Sequence, residues 1–182
     1  MSAKADLVAL LTERSIRFGE FTLASGATSS YYIDCRLTTM SARGQVLIGA
    51  LGLEAIRRAE WKPRSVGGLT MGADPVSYAI AAASAYEEVS IDAFSVRKEA
   101  KQHGTGRVIE GNFEAGDAVV VIEDVITSGG SALRAVEAVR TAGGTVIGVL
   151  AVVDREAGGR EAIEAAGLEV IALVGARELG LE

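Results

Sequence analysis

Residues 119–131 read VVVIEDVITSGGS: an apolar run, the adjacent carboxylates Glu123 and Asp124, the spacers Val125 and Ile126, then a turn rich in hydroxyls and glycine. The run 118–122 suits a strand buried on both faces of a parallel sheet. Beyond the turn, Ala132, Ala135, Val136 and Val139 recur at helical spacing, so Thr127, Ser128, Gly129, Gly130 and Ser131 are predicted at a helix N-terminus. Unpaired amides and the positive helix end favour an anion there, and the two glycines let the backbone approach it closely. Carboxylates just before this turn would repel a phosphate unless they meet the other end of the ligand and accept hydrogen bonds from sugar hydroxyls. A phosphorylated ribose meets both conditions. The competing reading is an ordinary strand, turn and helix in which Thr127 or Ser128 only caps the helix. A cap accounts for one hydroxyl, but not for the acidic pair, the second hydroxyl and the double glycine together.

Outward from that stretch, 182 residues with 49% hydrophobic content suffice for one sizeable core and are short for two, so a single domain over 1–182 is expected. The opening MSAKADLVALLTERSI reads as an amphipathic helix with acidic residues rather than a signal peptide, and no apolar run has membrane-spanning length. A cytoplasmic protein without a membrane partner is expected. The net charge of −6 argues against nucleic-acid binding, which usually needs a broad basic face. Cys35, the single cysteine, excludes an internal disulfide and a multi-cysteine metal site, and is read as a small half-buried residue.

In FGEFTLASGATSSYYIDCR, Phe21 and Leu23, then Tyr31 and Ile33, alternate around a Ser-Gly-rich turn, predicting a hairpin that forms a small lobe. A helix is predicted over 41–59, apolar enough at Val46, Ile48, Leu51, Leu53 and Ile56 to be covered on more than one side. A strand at 65–69 follows, with Asp74 and Pro75 as N-cap and first position of a helix to about Tyr86. Further strands are expected at 91–96, 145–153 and 169–174, and a helix near 160–166. Alternating strands and helices imply an α/β fold with a mainly parallel sheet covered on both faces and ligands beyond its carboxyl edge. The segments 70–74, 97–107, 123–131 and Asp154 with Arg155 all fall on that edge.

Arg97, Lys98, Lys101, His103 and Arg107 crowd one polar loop with Gly104 and Gly106 beside them, in a chain that is otherwise acidic. Such a loop suits a diphosphate, its cations neutralising charge and its glycines permitting closure; the bland alternative is a solvated charged loop. Arg155 offers a planar fork for a carboxylate, or is a surface arginine at a strand end. Tyr31 and Tyr32 cover a planar ring from the hairpin or simply pack together.

The stretch 119–131 resembles the phosphoribosyl diphosphate (PRPP) motif of type I phosphoribosyltransferases. With FGEFTLASG, YYIDCR, GLTMGADP, RKEAKQHG and VDRE, most of the chain resembles the orotate phosphoribosyltransferases. That resemblance implies the type I fold with a small N-terminal/C-terminal hood, its hairpin at about 18–36, and a flexible catalytic loop at about 97–110. It implies PRPP binding by Arg97, Lys98, Lys101, His103, Glu123, Asp124, Val125, Ile126, Thr127, Ser128, Gly129, Gly130 and Ser131, and orotate contacts from Thr127 and Arg155. Lys101, His103 and Asp124 are the implied catalytic residues. Magnesium is the implied cofactor, held mainly through PRPP, and the implied assembly is a homodimer whose catalytic loop serves the neighbouring subunit. Where many members read FTLKSG this chain has Ala24, and Met71 stands where others place lysine; Arg36 is a candidate replacement for the missing charge. A salvage enzyme for an uncharged base and a catalytically silent PRPP sensor remain the rival readings.

Overall fold

The computed structural model describes residues 2–22, 28–98 and 108–181. Helix α1 (Ala3–Arg14) begins at Ser2, whose hydroxyl accepts from the Ala5 amide, and Arg14 stands at its negative end. Strands β1 (Ile16–Thr22) and β2 (Thr28–Ile33) form the expected hairpin as a separate two-stranded antiparallel sheet. Between Phe18 and Phe21 the register shifts, so Gly19 and Glu20 together oppose Ser30, a bulge that bends the hairpin. A four-residue helix, α2 (Arg36–Thr39), follows; it is too short to leave a periodic signal in the sequence.

Helix α3 (Ala42–Arg58) has Ser41 as N-cap and Ala59 as C-cap, matching the predicted span. Ile48, Leu53 and Ile56 are buried and Leu47 and Leu51 pack against the same core, but Val46 is 73% exposed. The expected covering therefore stops short of Val46.

The large sheet contains β3 (Ser65–Leu69), β4 (Asp92–Val96), β5 (Ile109–Gly111), β6 (Ala118–Ile126), β7 (Thr145–Asp154) and β8 (Val170–Gly175), in the order β5-β4-β3-β6-β7-β8. All pairs are parallel except β4 with β5. The three-residue β5 was not expected, because so short a strand beside a polar loop shows no alternation. Helices α4 (Ala73–Ser84), α5 (Gly130–Thr141) and α6 (Gly159–Ala165) complete the layers, and a 3-10 turn (Ala176–Leu179) follows β8. Along β6, Val120 and Ile122 join the core under α1, α3 and α4, while Val119 and Val121 join the core under α5 and α6. Both faces being covered explains the unbroken apolar run.

Two boundaries differ in ways that matter for the site. Pairing with β7 continues to Ile126 opposite Asp154, so Glu123 and Asp124 lie inside the carboxyl-terminal part of β6 instead of beyond it. Helix α4 starts at Ala73 with Gly72 as its N-cap, not at Asp74; the Asp74 carboxylate instead accepts from the Ser95 hydroxyl at 2.7 Å. Burial raises the pKa of Asp74, with the Ser95 bond opposing.

Candidate active site

The strand order reverses between β3 and β6: from β3 the chain proceeds outward to β4, and from β6 in the other direction to β7 and β8. Connections leaving two neighbouring strands in opposite directions open a crevice at their carboxyl ends. A cleft of about 440 Å³ lies there, walled by Leu69, Thr70, Met71 and Gly72 after β3, and by Glu123, Asp124 and Val125 of β6. Ser131 and Arg134 of α5, Lys98 after β4, and 32–36 at the end of the hairpin complete it. A larger cleft of about 950 Å³ adjoins it between β5 and α5, sharing Leu69, Lys98 and Arg134. The smaller one is the better candidate, because it sits at the switch point and holds both carboxylates.

Glu123 is 7% exposed. Burial first, and the charge of Asp124 second, push its carboxyl from the ordinary 4.5 up to about 8, with a hydrogen bond between the two side chains adding to the rise. Asp124 is also raised by burial, opposed by the Val125 amide, which donates to its Oδ1 at 2.9 Å. Burial and the closeness of two like charges thus push both carboxyls toward their protonated forms. Gly72 is required opposite it: a Cβ there would stand 2.5 Å from Asp124 Oδ1.

Gly129 adopts φ 77, the left-handed region that glycine tolerates, and serves as the N-cap of α5 without a side-chain cap hydrogen bond. Neither Thr127 nor Ser128 therefore caps this helix, which removes the bland account of those hydroxyls. Ser131 in the first turn reaches the cleft.

Other anticipated residues are placed differently. Ile126 is buried in the core, and its carbonyl accepts from the Arg155 amide at 3.0 Å. Arg97 lines the larger cleft and pairs with Glu110 at 3.3 Å. Arg155 lies against the hairpin, its guanidinium 4.7 Å from the centre of the Tyr31 ring. Tyr32 packs against Phe21 at 5.6 Å and also faces the cleft. Cys35 is 1% exposed, not half-buried, and burial pushes its thiol up. Lys101, His103, Arg107 and Ala24 lie outside the described residues.

Arg134 and Asp34 were missed by sequence reasoning. Arg134 stands three residues after Ser131, hence on the same helix face, and that spacing is the signal that would have found it. Asp34 holds Arg36 in a two-pronged pair, Nε to Oδ1 at 2.8 Å and Nη2 to Oδ2 at 3.0 Å, which lowers the Asp34 pKa. Arg36 does share the cleft with Met71, but part of its charge is answered by Asp34.

Comparison with known proteins bears on the whole chain. Residues 43–169 match the phosphoribosyl transferase domain. An orotate phosphoribosyltransferase of Rhodopirellula baltica is 46% identical over 182 residues, covering 98% of this chain and 94% of the relative. The chain belongs to the orotate phosphoribosyltransferase family. Another member, from Corynebacterium glutamicum strain R, is 49% identical and covers 100% of this chain and 96% of its own length. Among solved structures, the Mycobacterium tuberculosis member in complex with PRPP superposes with a TM-score of 0.82 at 43% identity, covering 99% of this chain and 100% of that one.

Among the described residues, no cluster of three or more His, Cys, Asp or Glu could hold a metal ion, and no helix is long and apolar enough to cross a membrane. The adjacent carboxylates Glu123 and Asp124 are the oxygen donors that the cleft would turn toward a cation arriving on a phosphorylated ligand.

Proposed function

We propose that this chain transfers the 5-phosphoribosyl group of PRPP to orotate, giving orotidine 5′-monophosphate and diphosphate in pyrimidine nucleotide synthesis. The observation that carries this reading is the cleft at the switch point, where a desolvated carboxylate pair faces Lys98, Arg134 and the first turn of α5. One catalytic domain would span 1–182, with the hairpin of about 18–36 as hood and residues of about 97–110 as a closing loop.

In this reading N1 of orotate attacks the anomeric carbon as the bond to the diphosphate oxygen breaks, and positive charge builds on the sugar. As in glycoside cleavage, the transition state is oxocarbenium-like. Glu123 and Asp124 accept hydrogen bonds from the ribose hydroxyls, and the Asp124 carboxylate opposes the positive charge that develops on the ring. The amides of 127–131 and the Ser131 hydroxyl hold the 5-phosphate at the helix end. Lys98, Lys101 and His103 stabilise the departing diphosphate, Lys101 foremost and His103 by a proton or a hydrogen bond. Magnesium would be held mainly through PRPP beside Glu123 and Asp124 and would supply neutralisation of the diphosphate charge. Loop closure excludes the water that would otherwise hydrolyse PRPP. Thr127 and Arg155 contact orotate, the arginine through its carboxylate.

The same reading takes the protein as a homodimer. Leu37, Met40 and Met71, all exposed, line one surface pocket beside Arg36, an apolar face suited to a second copy. Mixing Lys101→Ala with Asp124→Ala protein is expected to restore part of the activity if loops cross between subunits. No recovery in verified mixed dimers would assign each loop to its own chain.

The primary test follows orotate by its ultraviolet absorbance with purified protein, PRPP and magnesium, with uracil and adenine in parallel. Loss of orotate that needs both PRPP and magnesium is the expected result. Turnover of an uncharged base instead would make this a salvage enzyme, and silence with every base would favour a sensor. Lys101→Ala is expected to lower turnover by roughly 100-fold or more without unfolding the protein.

A further inference from the structure

Arg155 stands at the end of β7, yet its guanidinium is held by a different sheet. Its Cζ lies over the Tyr31 ring, 4.7 Å from the centroid, within the range where a cation is attracted by the aromatic face. Its Nη2 donates to Ser29 Oγ at 3.3 Å. The Ser29 hydroxyl in turn donates to the Tyr31 carbonyl at 2.7 Å, which directs its proton away, so its oxygen accepts from the guanidinium and, at 3.4 Å, from the Tyr31 amide. Ser29 and Tyr31 are two residues apart on β2 and so share a face of the hairpin. Tyr31 packs against the main core, so the ring that supports Arg155 is itself anchored. Below it, the Arg155 amide is tied to the Ile126 carbonyl at the end of β6. One donor, Nε, is buried and has no hydrogen-bond partner among the described residues.

These contacts connect positions 126 residues apart. An arginine loses much rotamer freedom when it binds a carboxylate, and a guanidinium already held in one plane loses less. We propose that Ser29 and Tyr31 are positioning residues for the base subsite. They fix the plane of the Arg155 guanidinium so that its remaining donors meet the carboxylate of a heteroaromatic acid, and through them the hairpin takes part in selecting the acid over an uncharged base. This deepens the proposed function and rests on Arg155 being the orotate contact. Neither positioning residue needs to touch the reacting atoms.

The test measures KM for orotate, KM for PRPP, kcat and the preference for orotate over uracil in the full-length enzyme and in Ser29→Ala, Tyr31→Leu, Tyr31→Phe and Arg155→Ala. The Ser29 and Tyr31 changes are also combined with Arg155→Ala. Tyr31→Leu is expected to raise the orotate KM roughly tenfold, the scale of a partly desolvated cation-aromatic contact. Ser29→Ala should raise it roughly threefold, the scale of one hydrogen bond. The PRPP KM stays within about twofold and the preference for orotate over uracil falls in step. Tyr31→Phe keeps the ring and is expected to recover most of what Tyr31→Leu loses. In the Arg155→Ala background neither change adds a further loss, because the group they position is gone.

If Arg155→Ala raises the orotate KM while Ser29→Ala and Tyr31→Leu leave it at the wild-type value, the positioning role is wrong and Arg155 keeps its own. A rise in both KM values that persists beside Arg155→Ala would make Tyr31 purely structural and overturn the inference. An unchanged orotate KM in Arg155→Ala would remove the orotate contact itself, and the positioning role with it. Should Tyr31→Leu fold poorly, Ser29→Ala and Tyr31→Phe carry the test, since both keep the ring that packs on the core.

Discussion

Strands β6 and β7 lie side by side, and each carries a buried carboxylate at or near its carboxyl end, but the two are built differently. Asp154, 3% exposed, accepts from Arg160 Nε at 2.8 Å and from the Glu156 amide at 2.8 Å. Glu123, 7% exposed, is bonded to a second acid, Asp124, and feels Arg134 only as a weaker, opposing influence. A buried carboxylate joined to a cation is a finished structural element, whereas a pair of acids that must share a proton is incomplete until a ligand arrives. The comparison separates the residue that holds the strand ends together from the residues that the proposed function assigns to substrate.

The sharpest way to break that distinction is to neutralise each end in turn. Asp124→Asn is expected to lower turnover by roughly 100-fold to 1000-fold, the range for a group acting on the reacting centre. Thermal unfolding should show no loss of stability, since a desolvated charge has been removed. Asp154→Asn should do the opposite, costing about 2–3 kcal/mol of stability; that is below the usual figure for breaking a buried pair, because the Arg160 side chain is 34% exposed. Its orotate and PRPP KM values should move little at temperatures where the protein remains folded. Equal effects on stability from the two substitutions would erase the contrast.

A subtler test uses pH. The folded-state pKa of Glu123, about 8, lies above its ordinary 4.5, so the folded protein retains a proton that the unfolded chain releases. Stability from this group is therefore present below about 4.5 and declines as pH rises toward about 8. Glu123→Gln removes the decline. Its stability relative to the parent should rise by roughly 1–3 kcal/mol between pH 5 and pH 8, read from melting curves at both pH values. A constant difference across that interval would mean that Glu123 is ionised in the free cleft.

The smallest expected effect comes from Gly72→Ala. The added carbon would meet Asp124 Oδ1 at 2.5 Å and must displace that carboxylate. A roughly fivefold rise in the PRPP KM, corresponding to about 1 kcal/mol, is expected with the orotate KM unchanged. An unaltered PRPP KM would show that Asp124 is not held in place by the wall opposite.

Much of this molecule was legible before its structure. Helix α3 declared itself through Ser41 and its apolar periodicity, and 118–122 read as a strand buried on both faces because no polar residue interrupts it. The 123–131 motif suggested a ribose phosphate through its acids, hydroxyls and glycines, and the structure brings Glu123, Asp124 and Ser131 to one cleft. Less legible were β5 and α2, each shorter than the window over which periodicity can be seen. The N-cap of α4 was misplaced because Asp74 has the chemistry of a cap, yet Ser95 on a neighbouring strand engages it instead.

What the sequence by itself determined is the inventory of reactive groups and the local elements that carry them, since hydrophobic period, turn chemistry and motif spacing act over a few residues. The tertiary structure decided which of those groups meet. Strand order set β3 beside β6 and so opened the cleft; burial between two packed faces raised the Glu123 pKa; and the fold of the hairpin onto the sheet brought Tyr31 and Ser29 to Arg155. Desolvation and contact between residues far apart along the chain depend on how whole layers pack, which no local pattern encodes.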